Sequence, residues 1–390
     1  MLLEFTLKRN PALVDAAVEL HRAGRIPPDT FVLDLDAVEG NARILADAAE
    51  HLGLHLYFVS KQFGRNPMAI AAVARYIPRA TAIDIREAAR LHQSGAGLGN
   101  VGHLVQVPNA AIEPLLRWSP AVVTVFSYAK AEAVSRAASS LGMVQPILLR
   151  VCGERDHFFA GQEGGIPLED AVATARRIRD QLPGVRVEGV TSFPCLLFDA
   201  ARETFCATPN LQTLREAKAA LEQAGIPVAQ VNAPSGSCVA TLPELVRLGA
   251  THGEPGHALT GSTPLHAVDH EQPELPAMVY LSEVSHTLPD GRVAIYGGGF
   301  YRRGHPRTGL VFSHGNPPLR LGVEDLDPTQ IDYYRFLQPG AGSNRISVGD
   351  PVVLAFRTQV FVTRSNVAVL RHSDLRPQLL GLFDPFGRPL

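Results

Sequence analysis

Cysteine is scarce in this chain of 390 residues: Cys152, Cys195, Cys206 and Cys238 are the whole set, and no two of them form a CxxC pair. That spacing offers neither a zinc signature nor a disulfide framework. Charge of one sign is missing too. Lys+Arg 36 against Asp+Glu 38 leaves a formal net charge of -2, so nothing favours nucleic acid or an acidic membrane as the main partner. No apolar run approaches membrane-spanning length. The N-terminal stretch carries Glu4, Lys8, Arg9 and Asp15 where a signal peptide keeps an unbroken apolar core. There is no internal repeat, no low-complexity tail and no grouping of Ser, His and Asp that suggests a hydrolase triad. These absences, with 46% hydrophobic and 19% charged residues, predict a soluble globular protein placed in the cytoplasm.

What is present is a beat of strand and helix. Residues 11–23 have apolar positions at helical spacing, with Gly24 as a stop. The alternation of FVLDLDAV (31–38) suits a strand with one buried face, and a helix follows over 37–52. Apolar strands are then predicted at 54–59, 79–85, 102–107, 122–128, 145–151, 185–193, 229–235 and 251–259. Helical segments lie between them at 86–94, 109–117, 129–141, 167–181, 208–224 and 241–248. Strand followed by helix, repeated so, means a parallel sheet, and its closed form is a (β/α)8 barrel of the TIM type. An open doubly wound sheet is the alternative, but no GxGxxG follows an early strand to support it. After about residue 275 the pattern becomes strand-like with Gly/Pro-rich connections, predicting a C-terminal all-β domain. The expected division is 1–36 as an N-terminal helix and strand, 37–273 as the barrel, and 274–390 as the β domain.

Lys61 ends the apolar stretch LHLYFVSK (54–61) and precedes the turn GRNP. An amine at the carboxyl end of a barrel strand lies on the face where such folds build active sites, and desolvation makes it a better nucleophile toward carbonyls. The same strand end read alone equally suits a solvated lysine. The seventh and eighth strands run into Asn232-Ala-Pro-Ser235-Gly236-Ser237 and Glu254-Pro-Gly256-His257. Loops at these two places commonly hold phosphate, and hydroxyls with a glycine at a helix start suit it, although each is also an ordinary turn or N-cap. An amine for a Schiff base, a phosphate cradle and a nearby carboxylate are together what pyridoxal 5'-phosphate requires.

The motifs LYFVSKQFGRNP (56–67), GHLVQVP (102–108), SFPCLLFD (192–199), NAPSGS (232–237), THGEPGHALTG (251–261), YGGGFYRRGH (296–305) and FRTQVFVTRS (356–365) run over nearly the whole chain. On them the sequence resembles the alanine-racemase-like, fold-type III pyridoxal-phosphate family, and within it the YhfX-type subgroup. The resemblance implies a homodimer in which each barrel's mouth meets the partner's β domain, with FVLDLD belonging to the β domain. It implies a small-molecule amino acid as substrate, with no nucleic acid and no membrane as partner. Lys61 matches the lysine that carries the cofactor, and Ser235, Gly236, Ser237, Gly256 and His257 match the phosphate loops. Arg65 stands where alanine racemases have a phosphate-binding tyrosine, and an arginine does that work by charge. Tyr296, ahead of three glycines, best matches the tyrosine that serves as second base, with Tyr301 and His305 as rivals. Arg302 and Arg303 suit either a substrate carboxylate or a solvated pair.

Three departures from the family pattern matter. Glu254 replaces the arginine that alanine racemases set against the pyridine nitrogen, so the ring would be protonated and a stronger electron sink. Ser192 stands where the family often has histidine. FRTQVFV lacks the His and Cys zinc ligands of the D-serine dehydratase branch, so no metal is expected. The reading is an amino-acid racemase or epimerase working by two-base proton transfer. The alternatives are a lyase acting on a D-amino acid or related amine, and a non-catalytic cofactor-binding regulatory protein, which the β domain argues against.

Overall fold

The computed structural model describes residues 1–300, 304–325, 327, 329–373 and 376–390. They form two compact units: 42–59 with 73–256, and 1–41 with 60–72 and 257–390.

The first unit is the barrel. Its parallel strands are β1 (His55–Leu56), β2 (Arg79–Ala82), β3 (Gly97–Val101), β4 (Val122–Val125), β5 (Gln145–Cys152), β6 (Val185–Thr191), β7 (Gln230–Asn232) and β8 (His252–Gly253). They follow one another around the ring from β2 to β8, and β8 pairs with β1. A parallel bridge between Phe58 and Ala80 closes the circle. Leu148, Leu149, Val151 and Val190 are fully buried apolar residues of these strands, as parallel strands covered by helices require. Two of the connecting helices begin at side-chain caps: Asp84 accepts the Glu87 amide at 2.7 Å and Ser127 accepts the Lys130 amide at 3.2 Å. The (β/α)8 barrel predicted from the sequence is therefore present. The strand expected at 102–107 is not; the third strand is the glycine-rich GLGNV just before it.

The second unit is built on a sheet ordered Leu319–Gly322, Thr308–Val311, Pro351–Leu354, Met278–Thr287, Thr30–Asp34, Asn366–Ser373, Arg376–Phe383. Thr30–Asp34 sits inside it, antiparallel to Met278–Thr287 and parallel to Asn366–Ser373. The strand ends earlier than the predicted residue 38 because Asp34 Oδ1 accepts the amides of Asp36 and Ala37 at 3.1 and 3.2 Å, starting the helix Leu35–His51. The amphipathic helix Pro11–Arg22 buries Leu13, Val14, Ala17 and Leu20 against Val32, Val279, Leu281 and Leu370. No helix of the described residues is long and apolar enough to cross a membrane.

A turn at the end of the strand Val293–Tyr296 is held by half-buried acids. Asp332 Oδ2 accepts the amides of Gly298 and Phe300 at 2.8 and 3.1 Å. Asp29 lies against Gly298, where a Cβ would come within 2.0 Å of its carboxylate, and accepts hydrogen bonds from Tyr280 Oη at 2.9 Å and from Ser365 Oγ. Burial, more than its donors or Arg364 offset, pushes the Asp29 carboxyl up to about 6.

Two predictions follow from this packing. A Cβ on Gly189, in β6, would fall 1.7 Å from the Gln230 carbonyl oxygen of β7. Gly189→Ala should therefore lower stability by about 1–3 kcal/mol or more in denaturant unfolding, the usual scale of overpacking. Asp29, with a folded-state pKa above its ordinary 3.8, weakens the fold once pH exceeds the unfolded value, and the full penalty stands above about 6. Asp29→Asn keeps an acceptor for Tyr280 and Ser365 and should stabilise the protein at pH 7–8 by about 2–3 kcal/mol. That gain should fade as the pH of the melting experiment falls through 6 toward 4, and a constant gain would refute the assignment.

Candidate active site

Glu254 lies just past β8 and gathers three side-chain donors on one oxygen. Its Oε1 accepts Thr81 Oγ1 at 2.7 Å, Asn232 Nδ2 at 2.8 Å and Asn100 Nδ2 at 3.3 Å. These donors come from β2, β7 and β3, all near the carboxyl ends of their strands. A second layer aims them: Asn100 Oδ1 accepts Thr124 Oγ1 at 2.7 Å, and Asn232 Nδ2 also reaches Thr191 Oγ1 at 3.3 Å. Oε2 faces His103 Nε2 at 3.9 Å, with side-chain exposures of 3% for the glutamate and 1% for the histidine. A carboxylate so dry is tolerated because donors replace its water.

The loop after β7 has its side chains turned inward. Ser235 Oγ donates to Leu196 O at 2.7 Å and accepts the Leu196 amide at 3.0 Å, pinning the hairpin of Leu196–Asp199 and Thr204–Ala207. Ser237 Oγ accepts the Glu254 amide at 3.0 Å. Ser235 and Gly236 take left-handed backbone at φ 87° and 65°. Among the described residues the amides of Ser235, Gly236 and Ser237 meet no acceptor. Consecutive amides of this kind are anion ligands, and the loop offers them rather than its hydroxyls. Gly256 is buried at the end of the following loop. Ser192 is buried with its Oγ accepting Asn210 Nδ2 at 3.1 Å. Beside it Cys195 donates to Ser192 O, and burial, with the charges of Asp156 and Glu254, pushes its thiol well above the ordinary value.

The remaining candidates belong to the strand-rich unit. Lys61 opens a 3-10 turn, Lys61–Phe63, ended by Gly64 in the left-handed region. Asn66 Oδ1 then accepts the amides of Met68 and Ala69 and starts the helix Pro67–Ala74. Arg65 is buried at φ 52° with its guanidinium 5.0 Å from the Phe361 ring centre. His257 bonds Ser262 Oγ through Nδ1 at 3.3 Å. Burial, then the charges of Arg357, Lys61 and His266, hold its imidazole neutral, well below the usual range. Tyr296 ends its strand opposite Tyr334, with ring centres 5.9 Å apart, and its carbonyl accepts Ser282 Oγ at 2.7 Å. In its described contacts Tyr296 meets none of the other candidates. His305 is exposed at φ 39°. Tyr301, Arg302 and Arg303 lie outside the described residues.

Sequence reasoning singled out Glu254 but missed Thr81, Asn100 and His103, the groups around it. His103 stands within the motif GHLVQVP, two residues past β3, and that place at a strand end was the available signal. As an ensemble the barrel presents a fixed carboxylate and a row of unengaged amides, which are what a protonated pyridine ring and a phosphate would need. The residues present fit pyridoxal phosphate.

Comparison with known proteins agrees with this chemistry. Residues 33–264 match the family described as alanine racemase, N-terminal domain, and residues 279–378 match the YhfX-like C-terminal domain. The protein YhfX of Escherichia coli (strain K12) is 40% identical over 394 residues, covering 100% of each chain. Among solved structures, alanine racemase from Clostridium difficile 630 superposes with a TM-score of 0.64 at 16% identity, covering 92% of this chain and 99% of that one. D-threonine aldolase from Filomicrobium marinum gives 0.66 at 15% identity, covering 93% and 96%. At such identities these two establish shared fold alone. The full-length relative and the matched domains establish more: the chain belongs to the alanine-racemase-like, fold-type III family of pyridoxal-phosphate enzymes, in its YhfX-like branch.

Proposed function

We propose that this protein is a cytoplasmic, homodimeric amino-acid racemase or epimerase that uses pyridoxal 5'-phosphate, its site completed at the subunit interface. The observation that carries the reading is Glu254 in its ring of donors. Such a group has no packing purpose in a barrel core and suits a protonated ring nitrogen. Bound here, the cofactor supplies an electron sink that acidifies the Cα–H of an attached amino acid.

The chain's own residues divide the work. Lys61 Nζ would be the point of attachment and would take and return the Cα proton on one face. Tyr296 Oη does so on the other, with Tyr301 and His305 as rivals, which is what inversion needs. The amides of Ser235, Gly236 and Ser237, with Gly256, would hold the phosphate. Arg65 adds charge to that end, and His257, held neutral, offers a hydrogen bond without a charge. Glu254 would hold a proton on the ring nitrogen. That same feature favours a second reading, a lyase acting on a D-amino acid or related amine, because a protonated ring supports more than one bond cleavage at Cα. A regulatory role without catalysis accords less well with the strand-rich C-terminal unit.

Borohydride treatment of the cofactor-loaded protein should leave a pyridoxyl label on the peptide containing Lys61. A label on Lys8, Lys130 or Lys218, or none, removes the reading. Screening amino acids for α-deuterium exchange in D2O identifies the substrate whatever the product. With that substrate, Tyr296→Phe should retain exchange from the Lys61 face while inversion falls by about 100-fold or more, the scale of losing a positioned acid or base. Inversion at the parental rate would transfer the role to Tyr301 or His305.

A further inference from the structure

Three neutral side chains donate to Glu254 Oε1, and its other oxygen faces an imidazole. Thr81, Asn100 and Asn232 supply hydrogen bonds and no net charge. Facing Oε2 is His103 Nε2, at 3.9 Å, in a place where both side chains are almost free of solvent. The residue is held at its backbone and at its ring. Its backbone carbonyl accepts Arg150 Nη1 at 3.0 Å, and Phe193 meets its ring edge-on at 5.5 Å between centres. Arg150 is itself buried, its guanidinium bonded to Gln162 O at 2.6 Å and resting 4.7 Å from the Phe126 ring centre. A histidine fixed this firmly against a dry carboxylate is more than filler. A cationic partner at this range strongly favours the ionised acid.

We infer that His103 is a positioning residue for Glu254: imidazole and carboxylate form one proton-coupled pair, and His103 keeps Glu254 ionised so that it can hold a proton on whatever base it faces. The inference rests on reading Glu254 as the group set against the cofactor ring. Other groups share its field. Tyr57 and Cys195 both feel the Glu254 charge, and Cys195 also lies within reach of Asp156 and Arg150. All remain in place in the variants below, so they cancel in the comparison.

The pair is testable on the chain without cofactor. Histidine ring signals are followed by NMR against pH, and the His103 signal is assigned by its absence in His103→Gln. Glu254→Gln keeps the shape of the acceptor and removes its charge, and should lower the His103 midpoint by about 1–3 units, the range expected when an opposite charge at this distance is lost. A merely structural histidine would not move. Should Glu254→Gln fail to fold, the same coupling is read from the other side. The carboxyl carbon of 13C-labelled Glu254 should titrate about one unit or more higher in His103→Gln than in the parent. Midpoints unchanged in the folded variant overturn the inference. Because the titration needs no cofactor, it decides this point whether or not pyridoxal phosphate binds.

Discussion

Placing an ionisable carboxyl inside a barrel imposes conditions on many residues at once. Glu254 has given up its water, so its oxygens must be met by donors that cannot turn away. Thr81, Asn100 and Asn232 are suited to this because each is fixed at the end of a strand whose other residues are locked by the ladder. Thr124 and Thr191 then prevent the two asparagines from swinging. Polar side chains at strand ends thus recur around the barrel for one reason. The apolar layers below them, among them Leu148, Leu149 and Val190, keep that end rigid enough for hydrogen bonds of fixed length to pay off.

The strand-rich unit solves a related problem by different means. Its turn after Tyr296 is made of consecutive glycines because Asp29, Asp332 and Tyr280 approach the backbone too closely for side chains. The tyrosine is thus carried on a segment whose path is dictated by half-buried acids. Asp29 sits there at a cost in stability that favourable packing alone would not select, which marks the turn as a place where geometry was preferred over strength.

Much of this was legible in the sequence, and the illegible parts share a cause. The barrel showed itself because buried parallel strands are apolar runs and helical segments alternate with them along the chain. The third strand hid because GLGNV is chosen for space: a Cβ on Gly99 would come within 2.4 Å of the Tyr57 ring, so glycine stands where propensity would ask for valine. Lys61 could be nominated because an apolar stretch runs up to it before a recognisable turn, and Glu254 because it stands in a loop whose motif departs from the family pattern. Thr81, Asn100 and His103 could not. They are scattered through the chain and become a set only when three strands bring their ends to one carboxylate. The loop at 235–237 was read through its hydroxyls, whereas folding ties those inward and leaves the amides, which every sequence possesses, to meet an anion.

The thiol of Cys195 gives this arrangement a chemical temperament. Oxidants and alkylating agents attack thiolates, and a thiol buried among Asp156, Glu254 and the Ser192 carbonyl has little tendency to ionise. Cys152 is shifted the same way, by burial first and then by Asp156. Sulfur thus sits near the acid at the heart of the barrel without being a point of weakness. Peroxide stress that silences enzymes with exposed reactive thiols should find the Cys195 thiol a slow target.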